Sequence, residues 1–299
     1  VARRRWRGGE EGGVVLHGMT PLACMAEMYG RLEGCAKGKG GSMHMFDKPN
    51  HFYGGHGIVG AQTPLGAGLA FAVKYEREVL GKSLGDGGEA GKKVALCFMG
   101  DGALNQGAFH EAKNLAAVLQ LPVIFVLENN KYSMGTAIER GTSMAEDLSV
   151  KAAAYGMGYA ELNGMHVMEL YDGFKPVVET VREARQPAFV NVHCYRYQGH
   201  SMSDPQKYRS KDEVQIFQDA DPINLLKKFV VDEKGYVTEE DYKGMQKEIK
   251  AEVKEAQQRS EELPAIDVEA ELASDVYLSP VKNLSPTTVY KRGTKNPLL

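Results

Sequence analysis

The sequence is poor in cysteine and lacks long apolar runs. Its 299 residues include four cysteines, and no two of them form a Cys-x-x-Cys pair. This pattern favours scattered thiols in a reducing compartment over a disulfide framework or a zinc site. No run approaches the 18 apolar residues of a membrane-spanning helix, and the basic start lacks the apolar core of a signal peptide. We therefore expect an intracellular, soluble protein without a membrane partner.

The chain also lacks an excess of either charge. Its 36 Lys and Arg residues nearly balance 39 Asp and Glu residues, which leaves a net charge of −3. A nucleic-acid partner is not expected, because a strong basic footprint is missing. The dense basic stretch Arg3–Arg7 is interpreted as a solvated terminus, and a first residue of Val1 hints at a processed or incomplete chain.

Glycine, by contrast, is abundant. The 34 glycines exceed the average share of about 7%. They are not periodic, and they cluster in residues 30–68 and again in residues 100–107. Such clusters indicate places where the backbone must turn tightly or approach a ligand closely.

Apolar patterning predicts an α/β fold with a parallel sheet flanked by helices and a C-terminal helical extension. Three apolar runs are predicted to be buried strands: Val94–Met99, Val123–Leu127 and Ala188–Cys194. Helices are predicted at Asn105–Gln120, between the first two strands, and at about Leu65–Leu80. The Gly-rich and charged segment Gly81–Lys93 is predicted to be a surface loop.

Three regions are predicted along the chain. Residues 1–17 form an irregular N-terminal stretch, residues 18–230 an α/β cofactor-binding domain, and residues 231–299 a helix followed by an extended arm. The helix is predicted from a capping box at Thr238 and Asp241, followed by an apolar face.

The strongest functional signal is a pair of polar turns that follow neighbouring strands. Gly100-Asp101-Gly102 follows the first strand, Asn129-Asn130 follows the second, and 26 residues (103–128) separate them. Alone, the first turn is better explained by an N-cap aspartate. Together, the two turns place a carboxylate and an amide oxygen at the carboxyl ends of parallel strands, where α/β sheets bind ligands. Hard oxygen donors and a helix N-terminus favour a Mg²⁺ ion that holds a diphosphate.

This spacing is similar to the signature of thiamin-diphosphate enzymes, and longer motifs narrow the resemblance. The chain resembles the alpha subunits of thiamin-diphosphate-dependent 2-oxoacid dehydrogenases, in particular of pyruvate dehydrogenase, from about Gly18 to Leu278. The motifs that carry this resemblance are Lys37–Met45, Tyr53–Gln62, Glu128–Thr136 and Tyr195–Pro205.

The resemblance implies a set of site residues. The implied Mg²⁺ ligands are Asp101, the Asn130 side chain and the Tyr132 backbone carbonyl. The implied diphosphate contacts also include Gly102 and Ala103, and the implied aminopyrimidine contacts are the backbone of Gly57 and Val59. His200 corresponds to a catalytic and cofactor-binding histidine on a mobile loop, and Ser201 to a position phosphorylated in eukaryotic members.

The resemblance also implies an activity and partners. The family decarboxylates pyruvate with thiamin diphosphate and Mg²⁺, and it transfers the acetyl group reductively to the lipoyl group of an acyltransferase, which leads to acetyl-CoA. A beta subunit supplies the activating glutamate, so an α₂β₂ heterotetramer is expected. The expected compartment is the cytoplasm for a bacterial source and the mitochondrial matrix for a eukaryotic one.

Two alternatives remain open. The chain is either a pyruvate-specific subunit or the alpha subunit of a sibling branched-chain 2-oxoacid or acetoin dehydrogenase. Alternatively, it is an inactive truncated subunit, because the family's N-terminal histidine, Gly-Gln-Glu and Tyr-Arg pair are missing from residues 1–17.

Two glycine motifs suggest other ligands but are rejected. Gly55-x-Gly57-x-x-Gly60 satisfies the dinucleotide fingerprint, but residues 50–53 are a poor strand and no acidic ribose partner follows at the right distance. Residues 34–42 lack the spacing of a phosphate-binding P-loop.

Overall fold

A computed structural model describes residues 18–81, 93–271 and 274. The predicted N-terminal stretch, nearly all of the predicted loop Gly81–Lys93 and most of the extended arm lie outside the described residues. The described residues fall into two compact units, one built from residues 18–55 with the segment from Gly244 onward, and one from His56–Lys243. The predicted boundary between residues 230 and 231 stays a prediction.

The larger unit is built around a parallel sheet, which confirms the predicted fold class. Four strands lie in the order β1-β2-β6-β5, and all neighbours pair in parallel. These strands are β1 (Ala95–Gly100), β2 (Val123–Asn129), β5 (Gly158–Asn163) and β6 (Ala188–His193). A separate antiparallel hairpin consists of β3 (Tyr132–Ser133) and β4 (Thr136–Ala137). The three predicted strands therefore exist, with ends shifted by up to two residues. The prediction that all three are buried is wrong for β1, which exposes Leu96 and Phe98 on one face.

Helices cover both faces of the sheet. The α-helices of this unit are α2 (Gln62–Glu78), α3 (Gly107–Val118), α4 (Ile138–Gly141), α5 (Ser149–Ala153), α6 (Val167–Ala184), α7 (Lys211–Asp219) and α8 (Pro222–Lys227). A 3₁₀ turn occupies Asp101–Asn105, and a π-helix occupies Lys228–Glu233. Phe109 of α3 packs with Phe125 and Phe189 on one face, and Val181 of α6 packs with Ile124 on the other. The predicted helices at Asn105–Gln120 and Leu65–Leu80 correspond to α3 and α2.

Strand β5 and helix α6 were not predicted. β5 is an edge strand whose residues are exposed or half-buried, so it lacks the apolar run that marks the central strands. α6 contains Pro176 in its interior, and proline ordinarily marks a helix end.

The capping box of the last long helix is present as predicted. The Asp241 amide donates to Thr238 Oγ1 at 3.1 Å, and the Thr238 amide donates to Asp241 Oδ2 at 3.2 Å. Helix α9 (Glu239–Glu262) follows. The described residues contain no helix that is long and apolar enough to cross a membrane.

The smaller unit is organised by a buried carboxylate. It contains α1 (Pro21–Met28), 3₁₀ turns at Gly41–Met43 and Lys48–Asn50, and α10 (Val268–Glu271). Glu27 of α1 is fully buried and accepts hydrogen bonds from the amides of Ala36, Gly38, Gly40 and Gly41 at 2.7–3.2 Å. This residue fixes the Gly-rich segment 34–41, because its carboxylate satisfies backbone donors that would otherwise be buried without partners.

Candidate functional site

The two polar turns leave the sheet at the same edge. Gly100, the last residue of β1, lies opposite Glu128 near the end of β2. Asp101 and Asn130 therefore emerge from adjacent strands at their carboxyl ends, as the sequence predicts. This edge is where ligands bind in open α/β sheets.

Asp101 is a buried carboxylate. It is 4% exposed, and burial raises the pKa of its carboxyl group above the ordinary value. The amides of Asp101 and Gly102 and the charge of Arg196 oppose that rise without cancelling it. No ion pair joins Asp101 to any residue in the described part of the chain. A desolvated carboxylate without a bonded cation fits a metal ligand, because a bound metal ion would compensate its charge.

Asn130 lies in a tight polar turn. Its Oδ1 accepts a hydrogen bond from the Tyr132 amide at 3.1 Å, and Asn129 Oδ1 accepts one from the Lys131 amide at 3.2 Å. Lys131 has a φ of 70°, in the left-handed region that such side-chain bonds help to stabilise. The turn leaves the amide oxygen of Asn130 one further lone pair for a ligand.

A glycine brings the two turns into contact. A Cβ atom added to Gly102 would collide with Ser133 Oγ, so the 3₁₀ turn after β1 packs directly on the β3–β4 hairpin. Any larger residue at this position would force Ser133 to move. Asp101, Asn130 and Tyr132 consequently belong to one small region of the structure.

The Tyr132 carbonyl, which is the predicted third metal ligand, accepts a hydrogen bond from Arg196. The Tyr132 carbonyl accepts a bond from Arg196 Nη1 at 3.3 Å, and the Met134 carbonyl accepts one from Arg196 Nη2 at 2.9 Å. Arg196 therefore fixes both ends of the hairpin turn. A metal ion at the Tyr132 carbonyl would use the second lone pair of that oxygen.

The predicted ring platform is an exposed turn at the start of α2. Gly57 and Val59 are exposed, the latter by 58%. Gly60 has a φ of 85°, and an added Cβ would lie 2.8 Å from Gln106 Cγ. Gln62 Nε2 donates to the Phe98 carbonyl of β1 at 3.1 Å. These contacts connect the platform to both sides of the Asp101 turn, which lies between β1 and Gln106.

The dinucleotide alternative lacks its structural context. The segment before Gly55 contains the short 3₁₀ turn Lys48–Asn50 and, within the described residues, no strand that leads into the glycine motif. The Rossmann fingerprint requires such a strand.

His200 and Ser201 lie beside an open groove of about 490 Å³ that Met134 also lines. His200 is exposed, and its amide donates to Asp204 Oδ2 at 2.8 Å. Tyr208 donates its hydroxyl proton to the same oxygen at 2.7 Å. The amides of Gln206 and His200 and the Tyr208 hydroxyl hold the pKa of Asp204 below its ordinary value. Asp204 therefore stabilises the fold of the loop while the imidazole remains accessible.

Sequence reasoning assigned no role to the residues that support this region. Arg209 donates to the carbonyls of Arg196, Tyr197 and Gln198 at up to 3.1 Å and thereby fixes the start of the loop. Glu213 accepts hydrogen bonds from the hydroxyls of Tyr132 and Tyr195. The position of Arg209 in the chain indicates nothing of these contacts, because they depend on the tertiary fold.

The described residues contain no group of three His, Cys, Asp or Glu side chains that could hold a metal ion. A metal ion at the sheet edge would therefore need amide, carbonyl and ligand oxygens besides Asp101. Mg²⁺ accepts this arrangement, because it usually retains water or phosphate oxygens in its octahedral shell.

The fold and the site together define an α/β protein with a candidate site for a metal-bound diphosphate at the carboxyl edge of its sheet. Residues 9–269 match the sequence family described as dehydrogenase E1 component. This match includes residues 9–17, which lie before Gly18, the residue where the resemblance seen in the sequence motifs begins. Since it covers most of the chain, the chain belongs to the dehydrogenase E1 component family.

Several named proteins are similar to this chain over most of its length. The chain is 48% identical over 264 residues to the pyruvate dehydrogenase E1 component subunit alpha of Rickettsia conorii, covering 88% of this chain and 76% of that protein. It is 43% identical over 270 residues to the subunit of the same name from Rhizobium meliloti, covering 90% and 73%. The chloroplastic pyruvate dehydrogenase E1 component subunit alpha-3 of Oryza sativa is 37% identical over 263 residues, covering 88% and 60%.

Proposed function

We propose that the chain is the alpha subunit of a pyruvate dehydrogenase decarboxylating component. It binds thiamin diphosphate with Mg²⁺, takes part in the oxidative decarboxylation of pyruvate, and passes the two-carbon unit to a lipoyl acyltransferase. The names of its relatives support pyruvate as the substrate. The observation that carries the cofactor assignment is Asp101, a buried carboxylate without an ion pair among the described residues, at the carboxyl edge of a parallel sheet.

In this proposal three oxygens hold Mg²⁺: the Asp101 carboxylate, the Asn130 side-chain oxygen and the Tyr132 carbonyl. The amides of Gly102 and Ala103 contact the diphosphate. Both lie in the 3₁₀ turn Asp101–Asn105, and the first amides of such a turn have no carbonyl partner within it.

The cofactor, when bound, supplies the electron sink for the loss of CO₂ from a 2-oxo acid. The chain's own residues bind, orient and exclude water. The exposed backbone at Gly57 and Val59 is proposed to support the aminopyrimidine ring. His200 is proposed to orient the diphosphate and to move a proton near the reacting centre, since an imidazole ring can act as general acid and general base.

Ser201 is proposed as a regulatory phosphorylation site. Its hydroxyl is exposed in the groove, 3.1 Å from Ser203 Oγ. A phosphate of about −1.5 to −2 charges there would repel the diphosphate and disrupt the loop. Ser201→Glu should therefore lower activity, and undiminished activity would contradict this role.

The proposed partners are a beta subunit, in an α₂β₂ heterotetramer, and the lipoyl acyltransferase. The beta subunit supplies the glutamate that activates the cofactor. Bacterial relatives such as those of Rickettsia and Rhizobium favour the cytoplasm, and a eukaryotic source would place the chain in the mitochondrial matrix.

Two competing functions are separated by assay. A sibling enzyme would decarboxylate branched 2-oxo acids or cleave acetoin faster than it decarboxylates pyruvate when assembled with its beta subunit. An inactive subunit would fail to bind the cofactor. Calorimetry of the assembled protein should show thiamin diphosphate binding that requires Mg²⁺, and absence of binding would refute the enzyme function.

A further inference from the structure

We propose that Glu213 is a positioning residue that couples the Mg²⁺-binding turn to the segment that carries His200. The inference rests on the proposed function, because the object that Glu213 positions is the proposed Tyr132 carbonyl ligand. Glu213 is not one of the proposed metal or cofactor contacts. Its carboxylate acts through two tyrosine hydroxyls that belong to separate parts of the chain.

The hydrogen bonds define the coupling. Glu213 Oε1 accepts from the Tyr132 hydroxyl at 3.0 Å and from the Tyr195 hydroxyl at 2.8 Å, and Oε2 accepts from the Tyr132 hydroxyl at 3.1 Å. Tyr132 begins the hairpin two residues after Asn130. Tyr195 begins the segment that leads to His200. One carboxylate therefore connects the two segments that the proposed chemistry requires side by side.

A second connection runs through the backbone of the same two segments. Arg196 follows Tyr195 directly and donates to the carbonyls of Tyr132 and Met134. Glu213 and Arg196 thus hold the hairpin from opposite ends of Tyr132: one binds its hydroxyl and the other its carbonyl. Loss of the Glu213 connection would let the tyrosine rotate and would shift its carbonyl.

The carboxylate is held on a rigid support. Glu213 lies in the first turn of α7, and its amide donates to Ser210 Oγ at 3.0 Å, which caps that helix. One turn later Phe217 stacks on the Tyr195 ring, with the ring centroids 3.9 Å apart and the planes 7° apart. Because the helix is capped and stacked, Glu213 has little freedom to follow the tyrosines if they move.

In the bonds to Glu213, the donors are neutral phenol hydroxyls and the acceptor is a carboxylate, so each bond is charge-assisted. Outer-shell groups of this kind typically change metal affinity 10–100-fold when they are removed.

Asp212 provides the matched control. It lies beside Glu213 in the same first turn of α7 and is exposed, and no hydrogen bond of its side chain is seen within the described part of the chain. Asp212→Asn removes the same charge from the same helix end. It therefore reproduces any effect on the helix dipole without touching either tyrosine.

The experiment measures Mg²⁺ affinity at saturating thiamin diphosphate by calorimetry on the full chain assembled with its beta subunit. Glu213→Gln and Tyr132→Phe should each raise the Kd for Mg²⁺ about tenfold, and the double variant should raise it little further, because both changes break one connection. Asp212→Asn should leave it within twofold. In the metal-free protein, Glu213→Gln should also speed amide hydrogen exchange in residues 130–136. If Glu213→Gln does not fold, Tyr132→Phe carries the comparison alone.

Two results overturn the inference in distinguishable ways. Unchanged Mg²⁺ affinity in both variants, or an equal loss in Asp212→Asn, overturns the positioning role and leaves the proposed function intact. A parent protein that binds no Mg²⁺ with thiamin diphosphate overturns the proposed function and this inference together.

Discussion

Replacing Asp101 by asparagine should stabilise the ligand-free chain and remove its response to the cofactor. The substitution keeps the shape of the side chain and one acceptor oxygen but removes a charge that is only 4% exposed. Burial of this charge disfavours the ionised form, as the raised pKa of the carboxyl group shows. The buried charge therefore destabilises the ligand-free fold. A bound Mg²⁺ ion would stabilise the same charge by direct attraction.

The size of the stability change depends on how far neighbouring groups compensate the burial of the Asp101 charge. Two backbone amides and the Arg196 charge offset part of the lost hydration of Asp101. We therefore expect Asp101→Asn to raise the free energy of unfolding of the ligand-free protein by only about 1 kcal/mol. For a chain of 299 residues that is a rise of roughly 1–2 °C in Tm.

With the cofactor bound, the parent should be more stable than the Asp101→Asn variant, which is the reverse of their order without it. At about 100 times its Kd, Mg-thiamin diphosphate stabilises the parent by about 2.7 kcal/mol, whereas a variant that does not bind gains nothing. Thermal denaturation of parent and variant, each with and without Mg-thiamin diphosphate, should thus show crossing stabilities. Asp172→Asn, an exposed substitution on α6, is the control and should change neither value. A variant that is less stable than the parent without cofactor, or that is stabilised equally by it, would contradict the role of Asp101 as a buried metal ligand.

Three further substitutions test other parts of the account. Burial, with a smaller contribution from Lys151, lowers the pKa of Lys113 to about 8, so the charged lysine destabilises the fold below that pH. At pH 7 the Lys113→Met variant should therefore be about 1–2 kcal/mol more stable than the parent. This difference should shrink as the pH rises from about 8 towards about 10.4, the pKa of lysine in the unfolded chain. Gly102→Ala should lower the free energy of unfolding by about 1 kcal/mol through its collision with Ser133, and Ser133→Ala should restore part of the loss. Glu27→Gln should cost about 3 kcal/mol, because its new amide group would face backbone donors.

Denaturant unfolding monitored by circular dichroism measures each of these values. Parallel pH profiles of parent and Lys113→Met would contradict the first prediction. A Gly102→Ala protein as stable as the parent would show that the turn and the hairpin do not touch. A Glu27→Gln protein within about 0.5 kcal/mol of the parent would show that its four amide donors have other partners.

The central sheet was predictable from sequence because its strands are apolar on both faces. Val123 to Leu127 is an unbroken buried run, and Phe109 begins an amphipathic helix against it. Edge strand β5 could not be predicted in this way, since its residues are exposed or half-buried and form no apolar run. Helix α6 was obscured by Pro176.

In the candidate site, too, the residues next to apolar strands were predictable and the long-range contacts were not. Asp101 and Asn130 were predictable because each follows a recognisable strand and parallel strands end at one edge. Glu213 lies 81 residues from Tyr132 and on a different helix, so its partner could be found only from the tertiary fold. Contacts of this kind leave no local pattern in the sequence.

The most direct test of the account is decarboxylation of pyruvate by the chain assembled with its beta subunit, with thiamin diphosphate present, after removal of divalent metal. Release of labelled CO₂ from carboxyl-labelled pyruvate should be lost in the stripped protein and restored by added Mg²⁺. The Asp101→Asn protein should release none at the same Mg²⁺ concentration. Metal-independent release, or full activity of Asp101→Asn, would contradict the assignment of the metal-bound diphosphate site to the carboxyl edge of this sheet.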